Sequence, residues 1–402
     1  METVERSTGK KPLAALSLLA LGAGLLLFPA QARESVSKSV LTCLSSLVPS
    51  LFPFLVLASL GVRSGAGALL GRLLAPLTRR AFRLPAICGA PLLLSFLGGY
   101  PAGARGVSLL LEEKQITREQ AGRMMAFCVA PGPAFVVTFV GWGIWGSLER
   151  GWLLFAAVTL SGLLLGILSG LGKPVPQERA QEKDPPAGSA LVLSVSDACS
   201  ATAKMCGCIL LFAGITAILR ASGLFRLLAG LLEAAGPLPA GEAQAALSFV
   251  MEVTGGAADA AQAGAPPALF AFGLAFGGLC VHLQLFSFFR KFPLSKGKFF
   301  LFRVLHGAGS AGLFLLLDRL VPGESAPAWA ASTQPLHCEI TASTAAGGLS
   351  MLLMCLAFLV YVGKPFFSQK TELDKKDLPP KRGSRFHFRG LREKSHRGIM
   401  QP

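Results

Sequence analysis

Apolar residues fall along this chain in long blocks rather than in alternation. Runs free of Asp, Glu, Lys and Arg cover residues 13–32, 39–62, 84–104, 124–148, 151–172, 260–281 and 340–363. Each reaches the roughly 20 residues that a helix needs to cross a bilayer's hydrocarbon core. Shorter runs at 205–219 and 304–317 join them if the flanking Lys204, Arg220, Arg303 and Asp318 sit at the interfaces and snorkel. The pattern predicts an all-α, polytopic transmembrane protein with about eight crossing helices. Two segments interrupt it: residues 95–105 read SFLGGYPAGAR and residues 250–261 read VMEVTGGAADAA. Backbone that leaves helical geometry in lipid must be buried in protein or line a cavity. Both segments are therefore expected to be re-entrant or broken helices.

Composition and charge sharpen this picture. The chain is 52% hydrophobic and 15% charged, against about 25% charged in soluble domains. A net charge of +16 invites a nucleic-acid reading, but its distribution speaks against one. Lys and Arg gather in the short loops 63–83, 105–123 and 290–303 and in the tail 364–402, as the positive-inside rule expects of cytoplasmic segments. Residues 321–363 contain no Lys or Arg, which places the loop around 322–341 outside. Near the start, Lys10 and Lys11 precede an apolar stretch that ends in FPAQA at 28–32. That stretch could be a cleaved signal peptide, but further spans follow, so residues 1–34 are read as a signal anchor. Eight of the nine cysteines lie in or beside apolar runs, where cysteine behaves as a small hydrophobe, and Cys338 stands alone in the external loop. Cys206-Gly207-Cys208 lacks the partner pair that a soft metal would need, so no metal site is expected.

The polar, proline-rich linker 173–190 separates two stretches that look alike. Each opens with Ser-Val-Ser (Ser35-Val36-Ser37; Ser194-Val195-Ser196) and runs through an apolar block to Arg63 or Arg220. An amphipathic segment follows in each, then Leu-Pro, Ser-Phe and a glycine-broken patch. With the basic loops inside, the run 39–62 enters the cytoplasm while 205–219 leaves it. The two copies would then be inverted, a plan in which secondary transporters build a midplane site from matching helix breaks.

The breaks supply the candidate binding residues: Gly98, Gly99, Tyr100, Pro101 and Gly103 in the first, Glu252, Thr254 and Gly255 in the second. A helix starting near Pro101 would present free N–H groups to a polar or anionic ligand. Glu252 could hold a solute or a coupling proton; alternatively it caps a helix or pairs with Arg105 or another cation. Pro131, Gly132 and Pro133 break the run 124–148, as a packing kink or a cavity wall. His282 and Gln284 point about 200° apart on a helix and share a site only if the chain near Gly277-Gly278 unwinds. Arg105 and Arg123 suit either an anion or a cytoplasmic interface, and His306 has the weakest context. No GxSxG elbow, P-loop or HExxH pattern occurs, so no catalytic residues and no cofactor are expected.

GYPAGAR, the helix start around Thr117-Arg118-Glu119 and AFCVAPGPAFVVTFVG, with FVMEVTGG and FGGLCVHLQ later, resemble the YlbJ family of sporulation integral membrane proteins. Relatives of that family carry the nucleoside-recognition "Gate" domain. Members commonly place Asn or Ser before the Gly-Pro where this chain has Val129-Ala130-Pro131. The resemblance covers roughly residues 35–320 and implies Gate-like repeats at 35–172 and 191–321; the charge pattern adds an external loop with a last transmembrane helix (322–363) and a basic cytoplasmic tail (364–402). It also implies a role in spore cortex formation, in the mother-cell or forespore membrane. The expected partners are the lipid bilayer, a small polar (nucleoside-like) solute and a coupling ion, with a homo-oligomer compatible and nucleic acid excluded. The reading from another class is a scaffold that moves nothing and recruits envelope-assembly factors through its tail.

Overall fold

Glycine and proline punctuation, more than charge, decides where the helices stop. The computed structural model describes residues 10–64, 71–175, 187–236 and 238–321, together with Leu353. The external loop, the last apolar run, the basic tail, Cys338, Cys355 and most of the linker lie outside the described residues.

Among the described residues every regular element is helical. Helix α1 (Lys10–Leu27) meets α2 (Pro29–Thr42) at a bend of 97°, where Pro29 occupies a first-turn position and Phe28 leaves helical geometry. A π-helical stretch, Cys43–Leu47, carries α2 into α3 (Val48–Arg63), so the chain stays helical from Pro29 to Arg63. A π-helical turn, Pro76–Ala81, precedes the broken pair α4 (Gly89–Gly98) and α5 (Tyr100–Glu112). Helix α6 (Arg118–Phe127) opens on a capping box: Thr117 Oγ1 accepts from Gln120 N at 3.2 Å, and Gln120 Oε1 accepts from Thr117 N at 2.8 Å. It breaks before a π-helical segment, Ala134–Ile144, and α7 (Leu148–Gly170) follows.

The second half also mixes long and broken helices. Long α8 (Ala187–Ala221) leads to one-sided α9 (Leu224–Ala235), broken α10 (Ala240–Met251) and α11 (Val253–Gln262), broken α12 (Pro267–Phe276) and α13 (Gly278–Ser287), and long α14 (Lys296–Leu320). Helix α8 starts at Ala187, inside the expected linker, and continues through Asp197 and Lys204 instead of starting after them. Lys204 can remain in a helix because its side chain is exposed.

Among the described residues, four helical segments are long and apolar enough to cross a membrane: Leu148–Gly170, Ala190–Ala221, Pro267–Ser287 and Lys296–Leu320. The bent pair of α1 and α2 makes a fifth if it counts as one span. The charge-free runs at 84–104 and 124–148 thus appear as broken helices, while 39–62 is continuous helix that passes through the π-helical stretch Cys43–Leu47.

Small residues set the closest packing. A β-carbon on Gly141 would lie 2.4 Å from Gly151 Cα, so the π-helical segment and α7 touch backbone to backbone. Buried Gly162, Gly166 and Gly170 continue that face of α7 under His306, Phe127 and Phe82. Trp145 packs edge-on to Phe270, and Phe270 edge-on to Phe249, linking elements of both halves in one apolar core.

Candidate functional site

Four helix breaks, two from each half, meet at one place. Gly99 (φ +79°, ψ −171°) separates α4 from α5, and a non-helical stretch at residues 128–132 separates α6 from its π-helical continuation. Glu252 (φ −155°, ψ +134°) separates α10 from α11, and left-handed Gly277 (φ +88°) and Gly278 (φ +67°) separate α12 from α13. The breaks touch in series. A β-carbon on Gly99 would stand 3.1 Å from Gly132 N, one on Gly277 3.4 Å from Tyr100 Cε1, and one on Gly278 3.4 Å from Glu252 Cα. Expected positions Gly98, Gly99, Tyr100, Pro101, Gly103, Pro131 and Gly132 are buried, with Gly103 pressed against Ser95, and Pro133 opens the π-helical segment.

Each break leaves orphan backbone groups, which must be satisfied away from water. At the N-terminus of α11, the Glu252 carboxylate accepts from Thr254 N (2.8 Å) and Gly255 N (2.7 Å). Thr254 and Gly255 therefore enter through their backbone, and Glu252 serves as a helix cap. It does not pair with Arg105. At the C-terminus of α12, Gly277 N returns to Gly273 O, and three side chains reach the next three carbonyls. The Tyr100 hydroxyl donates to Leu274 O, Arg303 Nη1 lies 3.5 Å from Ala275 O, and His282 Nε2 donates to Phe276 O at 2.8 Å. A carbonyl only accepts, so that contact fixes the proton on Nε2. Gln284 turns to Cys280 Sγ (3.3 Å). The unwinding at Gly277-Gly278 lies before both His282 and Gln284, which stay on α13 with separate partners. His306 Nε2 donates to Val158 O (2.9 Å) on α7.

Two residues outside the expected set belong to this architecture. Arg303 was expected at an interface; it is fully buried, and its guanidinium reaches carbonyls at two of the breaks. Asp197 gathers Ser59 Oγ (2.8 Å), Arg63 Nη2 (2.7 Å) and Arg105 Nη2 (2.9 Å), joining α8 to α3 and α5. At the C-terminal end of α8, Arg220 pairs with Asp259 on α11 and donates to Ser248 Oγ on α10. Arg123 donates to Phe82 O and Arg83 O at the end of the first π-helical turn region. On the water-facing rim, Lys173 hydrogen-bonds Glu119 at 2.7 Å and holds that carboxyl below the usual carboxylate range. The seven described cysteines are free thiols. Among the described residues no cluster of three or more His, Cys, Asp or Glu could hold a metal ion.

All-helical architecture, long apolar helices and broken helices packed break against break define an integral membrane protein. The chain is 33% identical over 158 residues to "Sporulation integral membrane protein YlbJ" of Bacillus subtilis (strain 168). That alignment spans 39% of this chain and 39% of the relative, well under two thirds of the relative's length. No protein-family profile and no solved structure matches the chain.

Proposed function

We propose that the protein is a sporulation-associated membrane carrier that binds a small polar, nucleoside-like solute and is needed for spore cortex formation. The observation that carries this reading is the meeting of four helix breaks from both halves. Broken helices at matching points of two repeats are how secondary transporters build a midplane site. Long and broken helices occur in both halves, as two copies would give, and the charge pattern of the sequence supports their inversion, with the basic loops and tail in the cytoplasm. Sporulation comes from the printed name of the relative; the solute class and the cortex come from the motif resemblance. In this reading Gly99, Gly132 and Gly277 let the breaks shift against one another, and Glu252 changes partners from its own helix to the solute. The protein performs no chemistry on what it moves.

The test is thermal stability of the purified full-length protein in detergent, against nucleosides, dipicolinate and cell-wall precursors. A ligand at about 100 times its dissociation constant stabilises the folded state by about 2.7 kcal/mol. Glu252→Gln keeps an acceptor oxygen for the helix cap but loses the charge. We expect it to keep the fold and lose most of the ligand-induced shift. If no compound moves the melting temperature and deleting the basic tail abolishes function in sporulating cells, the carrier reading fails and the scaffold replaces it.

A further inference from the structure

Arg303 is among the largest side chains with no exposed surface, and none of its hydrogen bonds goes to a carboxylate. Nη1 donates to Val129 O at 2.6 Å and lies 3.5 Å from Ala275 O, and Nη2 donates to Ala126 O. The guanidinium sits 5.7 Å from the Phe299 ring centroid, while Nε has no partner. Arginine stays protonated in proteins, and a buried charge without compensation costs several kcal/mol. The compensation here is backbone. Ala126 lies in the last turn of α6, Val129 two residues past its end, and Ala275 in the last turn of α12. Each helix C-terminus carries roughly half a negative charge, so two of them together balance about one cation.

Carbonyls freed at the C-terminal ends of broken helices are the groups that hold a metal cation in discontinuous-helix carriers. We propose that the space between the C-terminal ends of α6 and α12 is a seat for a monovalent cation, permanently occupied by the chain's own Arg303. The seat does not depend on the carrier assignment. Its corollary, that no inorganic cation is coupled to transport at this point, rests on that assignment. Arg303 is thus a positioning residue: it fixes one break of each half against the other, and any movement of the solute site must keep or re-form these bonds.

The full-length protein in detergent provides the test. Arg303→Ala empties the seat and is expected to lower the melting temperature by several degrees. Guanidinium chloride, at concentrations far below denaturing ones, is expected to restore part of that loss, whereas equal urea restores none and neither changes the wild type. Failure of guanidinium to rescue the folded Ala variant would overturn the proposal. If that variant does not fold, Arg303→Lys decides against Arg303→Gln. A cation seat makes the Lys variant, which keeps the charge and loses the fork, clearly the more stable of the two; equal melting temperatures overturn it. None of these readouts contains a solute, so they succeed or fail separately from the search for a transported compound.

Discussion

Gly99→Ala is expected to destabilise the protein by about 3 kcal/mol and to remove any solute-induced stabilisation with it. Two effects act in the same direction. The backbone at Gly99 (φ +79°, ψ −171°) lies in a region that is essentially glycine's alone, and holding another residue there costs on the order of 1–3 kcal/mol. The added carbon would also stand 3.1 Å from Gly132 N, a backbone atom that cannot rotate away as a side-chain tip can. The control is Gly207→Ala in the interior of α8, where a β-carbon meets nothing within 4 Å. Removing a helix-interior glycine there should stabilise by roughly 0.5–1 kcal/mol. Thermal melts of both variants give the check, and equal melting temperatures would mean that the first break is not held as described.

Asp197→Ala should cost less but still strongly, about 2 kcal/mol. It strips the acceptor from Arg63 and Arg105 together and leaves Ser59 without its carboxylate. Breaking a fully buried ion pair costs roughly 3–5 kcal/mol because an uncompensated charge remains. Here the three side chains keep 14–21% of their surface exposed, and Arg105 retains Glu112 at 3.4 Å, so solvent and a second acid reduce the loss. The signature is non-additivity: the double variant Arg63→Ala/Asp197→Ala should be less damaged than the two single losses added together. Strict additivity would show that the two residues do not share an interaction.

The breaks were legible in the sequence because glycine and proline inside apolar runs have few other uses. GGYP at 98–101 and the glycines after Glu252 announce themselves against a background that should be uniformly helical. What the breaks need was not legible. Orphan carbonyls at the end of α12 collect Tyr100, His282 and Arg303 from three other helices, and no local pattern states that meeting. Arg303 read as an interfacial residue because it flanks a charge-free run. A better signal was available in α14, where Phe299, Arg303, His306, Gly307, Ser310 and Phe314 are all buried. Their spacing of three and four marks one helical face, and a face carrying His, Gly and Ser beside Arg points into protein rather than toward water. Asp197 was overlooked because the charge-free criterion began the second repeat's membrane run after Lys204. The helix tolerates both charges, one paired and one exposed, and simply continues through them.

Helix α8 has a further property in its length. At roughly 1.5 Å per residue, Asp197 and Arg220 stand about 34 Å apart along its axis, slightly more than the ~30 Å of a hydrocarbon core. The helix is therefore a strut pinned by charge at two points, one inside it at Asp197 and one at its C-terminal end, and each pin grips the second half of a broken helix: α5 through Arg105, α11 through Asp259. A strut held this way cannot rock freely. The Arg220 pin is the more open one, with 45% of that side chain exposed, against 14–21% for the residues at Asp197, and dissolved salt screens exposed pairs. Salt should therefore loosen the Arg220 pin of α8 more than the one at Asp197.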